Sequence, residues 1–202
     1  MTILTQIKTA KPVAKGCFGT LYNIDGKAVK IIKETDYNEI LQECVLQVQA
    51  AEAGLAPQIH TVTKLGKETM IVMDWIDQTE WFHPDFDQEV APFMAMLPLD
   101  RMELGLQLLA KLIKAGLIHA DYHTGNWFIN NNGDQLAIDF GQAARIEDAD
   151  EDQLRKVGVQ MKYATRLAGF QVVSDLIDEA LNDEELDGIR AALTVAAKAV
   201  LA

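Results

Sequence analysis

Cysteine is scarce in this sequence, since Cys17 and Cys44 are the only two among 202 residues. One lies in a glycine-containing stretch and the other in a segment with helical periodicity. Neither belongs to the CxxC spacing that is typical of metal or redox sites. The cysteine content therefore fits a reducing compartment best.

Basic residues are also few. Eighteen Lys and Arg stand against thirty Asp and Glu, which gives a formal net charge of -12. This is the wrong sign for a general binder of nucleic-acid phosphates or of an anionic membrane surface, so we expect no nucleic-acid ligand. With 49% hydrophobic and 24% charged residues the composition is that of a globular protein, organised as one domain or as a compact two-lobed unit.

Long hydrophobic runs are absent. Residues 1–8 lack the apolar core of a signal peptide, and no stretch approaches the roughly 20 apolar residues that span a bilayer. We expect a cytoplasmic protein without a membrane span. Delivery into a host cell by a system that leaves no cleaved signal stays open.

Strand and helix patterns alternate in the first part of the chain. Residues 20–32 form two β-rich runs around Asp25-Gly26, a strong signal for a hairpin turn. Apolar residues then recur at helical spacing from Asp36 to Ala53, and Gly54 stands where a helix commonly ends. Two more strands are predicted over 58–64 and 68–74.

The second part of the chain is mostly helical in pattern. Residues 77–99 mix acids, prolines and large apolar groups without one period, and 100–115 read as an amphipathic helix. A short hairpin over 127–138 leads directly to Asp139. Helical segments are expected from there to Ala202.

The most informative pattern is the run 118–126, followed by Ile138-Asp139-Phe140-Gly141. Asp121, Asn126 five residues later and Asp139 fill the places of a phosphoryl-transfer site in which the first Asp orients the attacking hydroxyl and the other two residues hold Mg²⁺. The structural alternative is a loop in which Asp and Asn cap turns. It is disfavoured because the surrounding strand, hairpin and helix pattern is the one that the motif requires.

The loop His119-x-Asp121-x-His123-x-Gly125-Asn126 resembles the protein-kinase-like superfamily, over roughly residues 13–145. Its two-histidine form is similar to the aminoglycoside and choline phosphotransferases and to the RIO-type kinases. Ala120 replaces the Arg of regulated kinases, which implies that no activation-loop phosphorylation is needed. Either histidine has the chemistry of a metal ligand, but a packed or hydrogen-bonding loop histidine is favoured.

Residues 14–21 resemble the glycine-rich loop of kinases. Ala14 stands at the first glycine position, while Gly16 and Gly19 occupy the other two. The resemblance implies that these three residues and Phe18 cover the phosphates of ATP, since glycine lets the backbone approach them closely. A plain hairpin turn is the alternative for this motif taken alone.

Lys30 is placed like the phosphate-binding lysine of kinases, with Val29 and Ile31 on either side. In a strand its side chain points to the face opposite theirs, which must then be the cleft. The resemblance also requires a Glu from the next helix. Glu39 and Glu43 lie one turn apart, and we favour Glu43 because Asp36 and Glu39 match a capping box.

Residues 73–76, Met-Asp-Trp-Ile, resemble the gatekeeper and hinge of kinases. The resemblance implies that Met73 is the gatekeeper and that Asp74 and Ile76 bind adenine. A strand end that continues into a loop would have the same residue types.

These patterns predict an α+β, minimal bilobal protein-kinase-like fold. An N-terminal lobe over 1–76 would hold a small antiparallel sheet and one helix, and a reduced, mostly helical lobe would occupy 77–202. The short second lobe, together with the run Tyr37–Leu41, resembles the compact effector kinases that bacterial pathogens inject into host cells (OspG-like), and the size also resembles RIO-type kinases.

The expected function is ATP- and Mg²⁺-dependent transfer of the γ-phosphoryl group to Ser or Thr of a protein, which would be a host protein if the chain is an effector. A small-molecule kinase is the first alternative. The second is a non-catalytic kinase-fold module that docks a partner through 77–99.

Overall fold

The computed structural model describes residues 2–16, 19–33, 36–84, 98–183 and 185–202, with the backbone alone for 98–102. The first lobe is built on a five-stranded antiparallel sheet in the order β1-β2-β3-β5-β4. Its strands are β1 (Ala14–Lys15), β2 (Gly19–Ile24), β3 (Lys27–Lys33), β4 (Ile59–Leu65) and β5 (Glu68–Asp74). The predicted hairpins and strands are confirmed.

The turn between β2 and β3 shows why Asp25-Gly26 is such a strong signal. Both residues have positive φ, 51° and 75°, as a two-residue turn with the right-handed strand twist requires. Asn23 accepts a hydrogen bond from the Gly26 N–H at 3.2 Å, which adds a local contact to the turn. This turn fixes the register that places Lys30 opposite Leu21 and Ile71.

Helix α2 (Tyr37–Glu52) covers one face of the sheet, where Ile40 and Cys44 pack against Ile32 and Ile71. Asp36 is its N-cap, and its carboxylate accepts from the N–H of Asn38. A capping box would need it to accept from the N–H of Glu39 instead.

The prediction of one helix in the first lobe was wrong, because a five-residue helix, α1 (Ile3–Ile7), lies on the other face of the sheet. Ile3 and Ile7 cover a cluster that contains Val29 and Ile31. A helix of five residues is too short to show a hydrophobic periodicity in the sequence. It is therefore recognisable only from the apolar surface that it covers.

The second lobe is mainly helical. Its elements are β6 (Trp81–Phe82), α3 (Pro98–Lys114), β7 (Leu117–His119), β8 (Trp127–Asn130), β9 (Gln135–Ala137), β10 (Ala143–Arg145), α4 (Glu151–Leu167), α5 (Gln171–Asn182) and α6 (Leu186–Val200). Strands β6, β8 and β9 form one small sheet, and β7 pairs with β10. In the described ranges no helix is long and apolar enough to cross a membrane.

Buried side chains of α3, α4, α5 and α6 form the main core of this lobe, among them Leu109, Leu154, Met161, Ile177 and Leu193. Acidic residues stand at the start of α4, where Asp150 is the N-cap and Glu151 and Asp152 lie in the first turn. Asp150 and Gln153 form a reciprocal capping box there. A second cluster joins the lobes, because residues at the C-terminal end of α2 pack against Leu108, Leu112 and Phe140.

Much of segment 77–99, the docking segment of the non-catalytic alternative, lies outside the described residues, namely 85–97. Trp81 and Phe82 are half-buried and pair with Asn130 and Ile129. These two aromatic residues therefore belong to the small sheet of the second lobe.

Candidate active site

Lys30 is held between the lobes by two carboxylates. Its Nζ lies 3.2 Å from Glu43 Oε1 on α2 and 3.6 Å from Asp139 Oδ1 in the loop after β9. The alternation of β3 explains the direction of the side chain, because Val29 and Ile31 face α1 while Lys30 faces α2. Glu39, the other predicted partner, is exposed one turn earlier.

Burial by itself would lower the pKa of Lys30, but the carboxylates of Glu43 and Asp139 outweigh it and leave the pKa raised. Lys30 is therefore a fixed cation in the cleft. The neighbouring Cys44 differs, since burial raises the pKa of its thiol to about 11. The thiol is neutral near pH 7 and acts as a small core residue.

The predicted catalytic loop follows the fully buried strand β7, and two of its predicted site residues are joined directly. Asn126 Nδ2 donates to the backbone oxygen of Asp121 at 2.9 Å and to its Oδ2 at 3.2 Å. Asn126 is 7% exposed, so these bonds fix the orientation of its amide. The carboxylate of Asp121 is 42% exposed, so solvent reaches it.

Asp139 carries backbone strain at the point where the chain leaves β9. Its φ of 60° and ψ of 72° lie in the left-handed region, which Asp adopts more readily than most residues. The side chain is 54% exposed and turns toward Lys30. Strain of this kind commonly marks functional positions.

His119 has a structural position. It is fully buried, its Nε2 lies 3.0 Å from the carbonyl oxygen of Ile138, and its ring contacts Phe140. Burial lowers the pKa of His119, so the ring is neutral near pH 7. This hydrogen bond ties the catalytic loop to the segment that carries Asp139.

The donor set at the mouth of the cleft fits Mg²⁺. The amide nitrogen of Asn126 donates to Asp121, so its Oδ1 is the atom that could bind a cation. Asp139 adds an exposed carboxylate. The described residues contain no group of three His, Cys, Asp or Glu that would bind a metal unaided. Asn126 and Asp139 would give two protein ligands, and Mg²⁺ usually uses one or two together with substrate phosphates and water.

In the glycine-rich segment Gly16 follows β1 and Gly19 begins β2, and the Gly16 N–H donates to the Gly19 carbonyl at 2.9 Å. A Cβ on Gly19 would lie 2.6 Å from the backbone oxygen of Ile31, whereas one on Gly16 would meet open space. Ala14 is exposed and pairs with Leu21. Phe18 lies outside the described residues.

At the hinge end of the sheet, Asp74 uses its side chain for contacts that the sequence analysis missed. Its Oδ1 lies 2.8 Å from both Lys27 Nζ and His60 Nε2. The hydrogen bond from Lys27 is the main reason why the pKa of the Asp74 carboxyl is lowered. Adenine binding by the backbone of Asp74 and Ile76 stays a prediction. The gatekeeper position, Met73, is contacted by the amide of the buried Gln47.

Comparison with known proteins agrees with this geometry. The family model described as "ABC1 atypical kinase-like domain" matches residues 3–165, which is most of the chain. The chain belongs to the ABC1 family. The prediction of an atypical protein-kinase-like domain is thereby confirmed, and the ABC1 match includes every residue of the candidate site.

One solved structure that resembles this ABC1 protein is the kinase domain of PknI from Mycobacterium tuberculosis. The TM-score is 0.56 with 18% sequence identity, over 95% of this chain and 93% of that one. At this identity the likeness establishes the bilobal kinase-like fold. No curated protein sequence matches the chain.

Proposed function

We propose that this ABC1-family protein is an ATP- and Mg²⁺-dependent phosphotransferase that moves the γ-phosphoryl group of ATP to a Ser or Thr hydroxyl of a protein. The observation that carries the proposal is the convergence of Lys30, Glu43 and Asp139 beside the Asp121–Asn126 pair. A binding module would have no need for this cation, carboxylate and amide in one cleft.

In the proposed reaction the acceptor oxygen forms a bond to the γ-phosphorus while the bond from that phosphorus to the β-γ bridging oxygen breaks, which releases ADP. Asp121 orients the acceptor hydroxyl and takes its proton late in the reaction. Lys30, held by Glu43, binds the phosphates. Asn126 and Asp139 would hold Mg²⁺, which neutralises charge on the phosphate oxygens when bound.

The size of the second lobe favours a protein acceptor. Helix α4 already begins at Glu151, shortly after Gly141, and it packs directly on α3, α5 and α6. The described part of this lobe contains no large helical insertion that would enclose a small acceptor. We expect the enzyme to act in a cytoplasm, either that of its own cell or that of a host.

A small-molecule kinase is the second candidate, favoured by the two-histidine form of the catalytic loop, His119 to Asn126. Labelled ATP offered in parallel to protein mixtures and to amino-alcohol or sugar acceptors separates the two. Label in protein supports the proposal, and label only in small molecules replaces it with the second candidate.

The controls are Lys30→Ala and Asp139→Ala. Mass spectrometry of an extract incubated with the wild type or with Asp139→Ala should find Ser or Thr sites phosphorylated by the wild type alone. If the wild type shows no ATP·Mg binding by calorimetry, the chain is a non-catalytic module and the proposal is wrong.

A further inference from the structure

The imidazole of His123 is held by its own loop in one orientation. His123 is the N-cap of the 3₁₀ turn Thr124–Asn126, and its Nδ1 accepts a hydrogen bond from the Gly125 N–H at 3.1 Å. The ring lies so close to Gly125 that a Cβ there would be 3.0 Å from Cε1 and 3.1 Å from Nδ1. A side chain at position 125 would therefore crowd the ring in this position.

This hydrogen bond also fixes the tautomer. Since Nδ1 accepts from a backbone N–H, it carries no proton, and the proton of the neutral ring is on Nε2. Nε2 is consequently a hydrogen-bond donor with a fixed direction.

The donor lies near the carboxylate that is proposed to orient the acceptor hydroxyl. Nε2 lies 3.9 Å from Oδ2 of Asp121, the same oxygen that accepts from Asn126. This distance is beyond hydrogen-bond length, so the Nε2–H is not used by Asp121. The His123 side chain is 59% exposed, and among the described residues no acceptor is hydrogen-bonded to Nε2.

We propose that His123 is a catalytic residue whose Nε2–H donates a hydrogen bond to an oxygen of the phosphoryl group as it passes from ATP to the acceptor beside Asp121. The inference rests on the proposed function. The proton stays on His123 throughout, while the acceptor proton goes to Asp121. A donor prepositioned toward developing charge is the arrangement that stabilises a transition state.

Two substitutions separate this role from simple capping of the turn. His123→Asn keeps an oxygen that caps the turn but removes the donor at Nε2. His123→Lys supplies a donor but removes the cap. Donation predicts that kcat falls by about 10²- to 10³-fold in His123→Asn and is partly restored in His123→Lys. Capping predicts the reverse order, with the lower melting temperature in His123→Lys.

Two measurements accompany the rates. The ¹⁵N shifts of the imidazole in the unliganded protein should show Nδ1 without a proton, and calorimetry should give the same ATP·Mg affinity for the wild type and His123→Asn. Two results would overturn this inference and leave the proposed function intact. One is a protonated Nδ1 in the neutral ring. The other is a His123→Asn variant as active as an active wild type. A wild type without any phosphoryl transfer overturns both.

Discussion

The ammonium of Lys30 lies 3.6 Å from the carboxylate of Asp139, so that one side chain of the sheet reaches the loop after β9 in the other lobe. Glu43 contacts the same ammonium from α2. Three elements that are distant in sequence therefore meet at one charge, and the chemistry of the cleft depends on all three.

Lys30→Met should lower the rate of phosphoryl transfer by about 10²- to 10³-fold, because it removes the cation that faces the phosphates. Glu43→Gln should have a smaller effect in the same direction, since Lys30 keeps its contact with Asp139. Glu39→Gln is the matched control on the same helix, exposed and away from Lys30. Initial rates with labelled ATP give the comparison, and near wild-type transfer by Lys30→Met would refute the assigned role.

Gly19→Ala should destabilise the first lobe by about 1–3 kcal/mol, because overpacking of this kind displaces backbone. The added Cβ would lie 2.6 Å from the carbonyl oxygen of Ile31, an atom that cannot rotate away. Gly16→Ala is the control, since its Cβ meets nothing within 4 Å. Urea unfolding of both variants checks this, and equal midpoints would contradict it.

Local signals account for the parts of the molecule that the sequence predicts well. Asp25-Gly26 determines its hairpin because the required positive φ values belong to those two residues. The order of Asp121, Asn126 and Asp139 is likewise read from short spacings, since loop and hairpin bring them together.

The features that the sequence does not predict depend on contacts between segments that are distant in the chain. Helix α1 and strands β6, β7 and β10 have two to five residues each and no period of their own. The sequence favoured Glu43 over Glu39 through a capping box that is not formed, since Asp36 accepts from the Asn38 N–H, and the contact itself depends on where β3 lies against α2. The cluster of Lys27, His60 and Asp74 needs three strands in register.

The free energy of unfolding should decrease as the pH is lowered below about 6.5, partly because of His119. Burial lowers its pKa in the folded state, so between the folded and unfolded pKa values the unfolded chain binds more protons. The contribution is complete above the unfolded pKa and is lost as pH falls toward the folded one. Free energies of unfolding at several pH values should show a shallower loss in His119→Gln. Parallel curves for the two proteins would show that His119 is not responsible.

Phosphatase treatment should leave the transfer rate unchanged. Regulated kinases, from which this chain differs here, need an Arg at the position of Ala120, a buried residue without a group that binds phosphate. The structure gives a further reason, because α2 is fixed to the second lobe. Gln49 Nε2 donates to the Ala115 carbonyl at 2.9 Å, and the Leu55 carbonyl accepts from the Ala137 N–H at 2.7 Å.

With α2 held in this way, Glu43 already contacts Lys30, and no added phosphate is needed to bring them together. The experiment compares the untreated and the dephosphorylated protein, with complete removal of phosphate checked by mass spectrometry of the intact chain. Lys30→Met serves as the inactive control in both states. Loss of activity on dephosphorylation would mean that the Lys30–Glu43 pair is not sufficient for the active arrangement, and that a phosphorylated residue acts elsewhere in the chain.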